Sequence, residues 1–297
     1  MDRLLFGDNQ FLGVNAMSEE KGRASLIRFQ DLSEVIAVLD VAYEAGIRTF
    51  MCTTHERVAE ICEHVRRNPE KYPDYRFYPC MPYAHKYANA VTEHGIVEAL
   101  RQFLPTDGVV AGLLKGGISA ARKDMEGIAQ LLIDAEMKMF EGLSTPVIFM
   151  LNVLTDLLLG LGAKDALRIF ADHVRKRYGA EPGFITMNLP RTLDALEAVG
   201  VENPIVCSSI NKLGFRMSGG IRAYEEAIAQ RRFRPVAMSV LASGGIGARE
   251  AIEYIAMQPR IESILFGASS ASHIRQTKQL IDEFDRVTRA KRQADAV

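Results

Sequence analysis

The residues best suited to chemistry stand directly after short apolar runs. Thr53-Thr54-His55-Glu56 follows Ile47 to Cys52, and Gly7-Asp8-Asn9-Gln10 interrupts the apolar opening Leu4 to Val14. An imidazole exchanges a proton near neutral pH, so His55 is the first candidate for acid–base work, with Asp8 or Glu56 to orient it. The plain structural alternative for His55 is a helix cap or a surface position. Asp8, Asn9 and Gln10 would offer hydrogen bonds to substrate oxygens, unless they form a turn held by their own side chains. Lys115 closes the run Val109 to Leu114 beside two glycines. Desolvated it would form a Schiff base, and exposed it would pair with a carboxylate. Tyr83 follows Arg76 to Met81, and Asn152, Asn188, Ser209 and Asn211 each close or follow an apolar run. Together they would form a polar ring around a ligand, although asparagine is also common in turns.

A second kind of chemistry is suggested between Arg234 and Gln276. Val236 to Leu241 runs into Ala242-Ser243-Gly244-Gly245, and Ile261 to Phe266 into Gly267-Ala268-Ser269-Ser270. Glycine loops that open helices present backbone N–H groups to an anion, so Ser243, Gly244, Gly245, Gly267, Ala268, Ser269, Ser270 and Arg275 are expected to hold a phosphate. Ordinary tight turns are the alternative.

These positions imply a scaffold of buried strands, each followed by a helix. Strands are expected at Leu4–Gly7, Ile47–Cys52, Arg76–Met81, Val109–Leu114, Pro146–Leu151, Gly183–Met187, Pro204–Ser209, Val236–Leu241 and Ile261–Phe266. Helical spacing alternates with them. It covers Leu32 to Ala45, a stretch from His55, Ser119 to Phe140, and Thr155 to Arg177, the last with Leu157 to Leu159 and Leu161 on its buried side. Such alternation predicts an α/β fold, a parallel (β/α)8 TIM barrel, with one strand too many: either the N-terminal one lies at the barrel's bottom or rim, or one of the middle stretches is not a strand. A doubly wound open sheet is the runner-up, but no G-x-G-x-x-G loop follows the first strand.

The chain has 297 residues, 36 basic against 37 acidic, with a pI near 6.6. One barrel domain over 1–297 is expected, with the polar tail from 286 fraying. The balanced charge gives no support to a nucleic-acid partner, and no apolar run reaches the length of a membrane span. A cytoplasmic protein acting on a small-molecule substrate is expected. The Leu- and Met-rich stretch Ile128 to Phe140 would suit a homodimer contact. Cys52, Cys62, Cys80 and Cys207 form no C-x-x-C pair, so no disulfide or structural zinc is expected. His55, His85 and His94 show no compact metal-ligand spacing, and a metal assembled from separate strands stays open. His64 and His173 are expected on solvated helical faces.

From Gly46 onward the order of segments resembles the aldo-keto reductase superfamily. GIRTFMCTTHERVAEIC is similar to that family's second strand and following helix, and GFITMNLPRTLDALEAVGVENPIV to its Ser-Asn strand and the next unit. RPVAMSVLASGGI resembles its penultimate strand, and ILFGASSASHIRQTKQLI its last strand and cofactor-phosphate loop. The resemblance implies a barrel with a nicotinamide cofactor, NAD(P), near Gly267, Ser269, Ser270 and Arg275. It does not carry the family's Asp–Tyr–Lys–His tetrad. Met51 stands at the Asp position, no Tyr follows at the expected distance, and Lys86 falls several residues beyond the Lys position near Cys80 or Met81. The last two strands also resemble the phosphate-binding barrels of histidine and thiamine biosynthesis.

Three functions follow as expectations. The first is acid–base chemistry of isomerase, epimerase or lyase type on a small carbonyl-bearing, phosphorylated metabolite, with His55 moving the proton. The second is an NAD(P)H-dependent oxidoreductase with a rearranged proton donor, His55 or Tyr83. The third is a ligand-binding barrel without turnover.

Overall fold

The structure, a computed structural model, describes residues 1–15, 17–83, 118–258 and 260–294. Eight short strands close into a parallel barrel in the order β1 to β8: Leu4–Gly7, Thr49–Thr53, Arg76–Met81, Val147–Met150, Glu181–Thr186, Ile205–Ser209, Arg234–Met238 and Ser263–Phe266. The ring seals where β1 pairs with β8, Leu5 opposite Leu265. Leu4–Gly7 is therefore a full member of the wall and not an extra strand. Because β3 pairs directly with β4, Cys80 opposite Phe149, the wall needs nothing from the expected strand Val109–Leu114, which lies outside the described residues.

Ten helices flank the wall among the described residues: α1 Glu19–Arg28, α2 Leu32–Glu44, α3 Glu56–Arg67, α4 Ile118–Met137, α5 Asn152–Gly160, α6 Asp165–His173, α7 Leu189–Ala198, α8 Gly220–Gln230, α9 Ala248–Met257 and α10 Ala271–Ala294. Side-chain caps start several of them. Ser18 accepts the Lys21 N–H, Asp31 that of Ser33, His55 that of Arg57 and Asn188 that of Arg191, each filling one orphan donor of a first turn. The polar tail beyond 286, expected to fray, is helical as far as Ala294.

Alternation along the strands produces two apolar layers. Phe6, Phe50 and Phe77 point out into the helix layer, while Leu5, Met51, Tyr78, Phe149 and Val236 fill the barrel's interior. Gly183 makes room there, since a Cβ on it would stand 2.4 Å from the Phe149 ring opposite. The interior is thus a packed core, and the ends of the strands are the open face.

Two helical expectations change. The stretch Thr155 to Arg177 divides into α5 and α6, and Leu157 and Leu161 are 53% and 71% exposed. Because the helix ends before Gly162 (φ +69°), the 3.6-residue register restarts, so the leucine run does not lie on one buried face. His173 is also not solvated. Its Nε2 lies 2.8 Å from Asp134 Oδ1, a carboxylate that the Tyr178 hydroxyl also reaches.

No described helix is long and apolar enough to cross a membrane. All four cysteines are buried free thiols, and burial pushes each thiol up from its ordinary range, Cys62 to about 12.

Candidate active site at the mouth of the barrel

The ends of β1, β2 and β3 bring together the residues most able to do chemistry. Asp8 immediately follows β1 and is buried. Its Oδ2 accepts two hydrogen bonds at 2.7 Å, from the Thr53 amide and the Thr53 hydroxyl at the end of β2. Loss of water around the carboxyl raises its pKa, and the Thr53 bonds only partly offset this. The result is a carboxyl that holds its proton to a higher pH than an ordinary aspartate.

His55 stands two residues past Thr53 and caps α3, with Nδ1 accepting the Arg57 N–H at 2.9 Å. A backbone amide can only donate, so Nδ1 carries a lone pair and the neutral ring bears its proton on Nε2. His55 is held as a hydrogen-bond donor. To accept a proton at Nδ1 it would have to release the cap. Its ring meets that of Tyr83 edge to face, with centroids 5.3 Å apart. The Tyr83 phenol is pushed up by burial and by the charge of Asp8, so it stays protonated. Cys80, inside the barrel, feels the same carboxylate.

A residue that the sequence reading passed over underlies this corner. Glu136 on α4 is 2% exposed and accepts the Thr54 hydroxyl at 2.6 Å and the Tyr83 N–H at 3.3 Å. The signal for it was a single acid on a helix face whose neighbours Ile133, Met137 and Phe140 are all core. Asp156 on α5 does a similar service at β5, accepting from the Thr186 hydroxyl and the Met187 N–H.

Other expected residues are placed elsewhere. Glu56 is exposed in the first turn of α3, and Arg57 rather than Glu56 orients the imidazole. Asn9 is exposed at a turn in which its carbonyl accepts from Val14. Gln10 donates from Nε2 to the Gly7 carbonyl at 2.7 Å. Asn152 opens α5, half-buried, while Asn188 is spent as the cap of α7. Asn211 is fully buried, its amide bonded both ways to the Phe215 backbone, and Ser209 reaches the Met187 sulfur at 3.8 Å. The polar ring is therefore not assembled by the two asparagines after β5 and β6, which hold their own loops. Lys115, His85 and His94 lie outside the described residues. Among the described residues no group of three histidine, cysteine or acidic side chains could hold a metal.

Several of the residues expected to cradle a phosphate are used otherwise. The N–H groups of Gly244 and Gly245 are used inside their own turn, donating to Leu241 and Ala242, and Ser243 adopts a left-handed φ of 58° there. Gly267 stands against a different group. A Cβ on it would fall 2.2 Å from Gln10 Oε1, so the glycine admits the side chain of the first loop. Arg275 opens onto a flank groove beside Glu44, Ala45 and Lys278. What remains is the turn Ala268 to Ser270 at the start of α10, where Ser270 Oγ lies 3.4 Å from the His273 N–H. The start of a long helix is the kind of place where backbone N–H groups can meet an anion.

No family model matches the chain, and no curated protein matches its sequence. Solved structures do share the architecture. An aldo/keto reductase from Brucella melitensis superposes with a TM-score of 0.54 at 10% identity, covering 96% of this chain and 93% of that one. An aldo-keto reductase from Klebsiella pneumoniae, solved with NADPH, gives 0.55 at 10% identity over 97% and 91%. A Pseudomonas aeruginosa protein assigned to the aldo-keto reductases gives 0.58 at 14% identity over 95% and 90%. At these identities the likeness is one of fold.

Proposed function

We propose that the chain is an enzyme that reduces a small aldehyde or ketone with NAD(P)H at the mouth of the barrel. The observation that carries this is the His55–Tyr83 pair, two hydrogen-bond donors packed ring to ring beside the buried carboxyl of Asp8. A carbonyl oxygen gathers negative charge as it is reduced, and two preset donors suit that oxygen. His55 Nε2–H polarises it, the Tyr83 phenol delivers the proton, and Asp8 is the nearby group from which that proton is replaced. The nicotinamide, when bound, supplies the hydride. Ala268, Ser269 and the start of α10 would hold a cofactor phosphate. The barrel's likeness to aldo-keto reductases, one of them solved with NADPH, supports reduction.

One observation favours a second reading, proton transfer of isomerase or lyase type without a cofactor. The basic side chain expected at the phosphate turn, Arg275, opens onto the flank, and Gln10 takes the space beside Gly267. Asp8, with its raised pKa, would then act as the base.

The two are separated by incubating the protein with NADPH and a panel of aldehydes and ketones in D2O. Consumption of NADPH that falls about 100- to 10,000-fold in Tyr83→Phe supports reduction. Deuterium entering the carbon next to the carbonyl, with NADPH untouched, selects the second reading. A protein that binds the panel without either change is a ligand-binding barrel, and both enzymatic readings fall.

A further inference from the structure

We infer that Glu136 is a positioning residue: a buried carboxylate on α4 that sets His55 and Tyr83 against each other by gripping the loops that carry them. The inference rests on the role given to that pair in the proposed reaction. Its grounds are geometric. Glu136 Oε2 takes the Thr54 hydroxyl at 2.6 Å, and Thr54 is the residue immediately before His55. The same carboxylate takes the Tyr83 N–H at 3.3 Å. One side chain therefore reaches the loop after β2 and the loop after β3, the two elements whose separation decides whether the rings meet at 5.3 Å.

Stability alone does not explain a carboxylate at this point. Glu136 is 2% exposed and sits one residue from the end of α4, where the carbonyl dipoles of the helix disfavour negative charge. Its neighbours Ile133, Met137 and Phe140 are apolar and buried. What an apolar residue lacks is the means to accept from two loops at once. Thr54 is itself 2% exposed, and its hydroxyl has this carboxylate as its partner. The arrangement fixes the direction of the chain where it enters α3, and so fixes the Nε2–H of the capping imidazole.

The test reads geometry directly. Glu136→Ala, Glu136→Gln and Thr54→Val are compared with the unaltered chain by amide hydrogen exchange at Tyr83 and by nitrogen NMR of the His55 imidazole. Glu136→Ala is expected to speed exchange at the Tyr83 amide about ten- to hundredfold, the range for a lost bond to a charged acceptor. It is also expected to shift the Nε2 resonance as the Tyr83 ring moves away. Glu136→Gln retains one acceptor oxygen and should restore most of the Tyr83 protection. Thr54→Val, nearly isosteric, should move the His55 signals while leaving the Tyr83 amide protected, and it keeps the question decidable if Glu136→Ala does not fold. Unchanged Tyr83 exchange and unchanged imidazole signals in a folded Glu136→Ala protein would overturn the inference, leaving Glu136 as a filler. These readouts do not depend on turnover. A wild-type chain that never consumes NADPH ends the proposed reaction, while the exchange and imidazole data still decide the role of Glu136.

Discussion

Asp8 Oδ2 receives both the amide and the hydroxyl of Thr53 at 2.7 Å, which ties the end of β1 to the end of β2 through a single buried carboxyl. Burial outweighs those bonds, and the folded pKa lies above the ordinary 3.8. The folded state therefore binds the proton more tightly than the unfolded state. Between 3.8 and the folded pKa, stability falls as pH rises, and above the folded pKa the full cost of the buried charge is present. Asp8→Asn removes that cost while keeping an oxygen for Thr53. Thermal melts from pH 3 to 8 are expected to show the variant more stable at neutral pH and convergent with the parent at the acid end, with turnover lost. A variant less stable than the parent at pH 7 would refute the assignment of burial as the dominant cause.

His55 has two separable duties, capping α3 and presenting Nε2–H. Asparagine caps a helix well but has no imidazole. His55→Asn should therefore keep the parent's melting temperature and lose activity by about 100-fold or more. His55→Ala should lose the same activity and about 1 kcal/mol besides. Denaturant titrations read beside the NADPH assay distinguish the two, and equal stabilities would show that the Arg57 bond contributes nothing.

Gly267→Ala is expected to be accommodated by displacing the end of the Gln10 side chain. The added Cβ would lie 2.2 Å from Gln10 Oε1, and moving that side chain gives up its 2.7 Å bond to the Gly7 carbonyl. Gly267→Ala should cost about 1 kcal/mol. In a double-mutant cycle with Gln10→Ala, the second substitution should recover most of what the clash removes. Additive losses would mean that the contact is incidental.

Gly183→Ala tests the packed interior. The Phe149 ring opposite is fully buried and has no room to turn from a methyl at 2.4 Å, so a loss of about 1–3 kcal/mol is expected. Phe149→Leu in the same chain should return part of it. Urea melts measure both.

Much of this architecture was legible in the residues. Short apolar runs ending in glycine or polar residues marked seven of the eight wall strands and suggested Leu4–Gly7 as a strand, because most wall residues of a parallel barrel are buried on both faces. Asp8, His55 and Tyr83 were visible as polar residues at those ends. Hidden from the sequence was the use of each lone pair. The sequence allowed His55 to cap a helix but did not show that the cap is made through Nδ1 accepting from Arg57, which leaves Nε2–H as a donor. Asn211 looked like a ligand-facing strand end, yet its amide closes a loop back on Phe215. Glu136 was least legible, because its partners Thr54 and Tyr83 are distant in sequence and only the closed wall brings them within reach. At Gly267 the missing side chain was legible, but not that Gln10, 257 positions away, lies against it.

The direct pairing of β3 with β4 has a bearing on how such a chain diverges. Met81 and Val147 belong to adjoining strands, and among the described residues the connection between them adds no strand to the wall. Insertions and deletions within such a connection do not break ladder hydrogen bonds. Yet this connection carries Tyr83 and the helix bearing Glu136, two of the groups on which the proposed chemistry depends. Selection on what the protein acts upon and selection on whether it holds together thus fall on different parts of the chain. Relatives should then share the wall while drifting apart between these two strands.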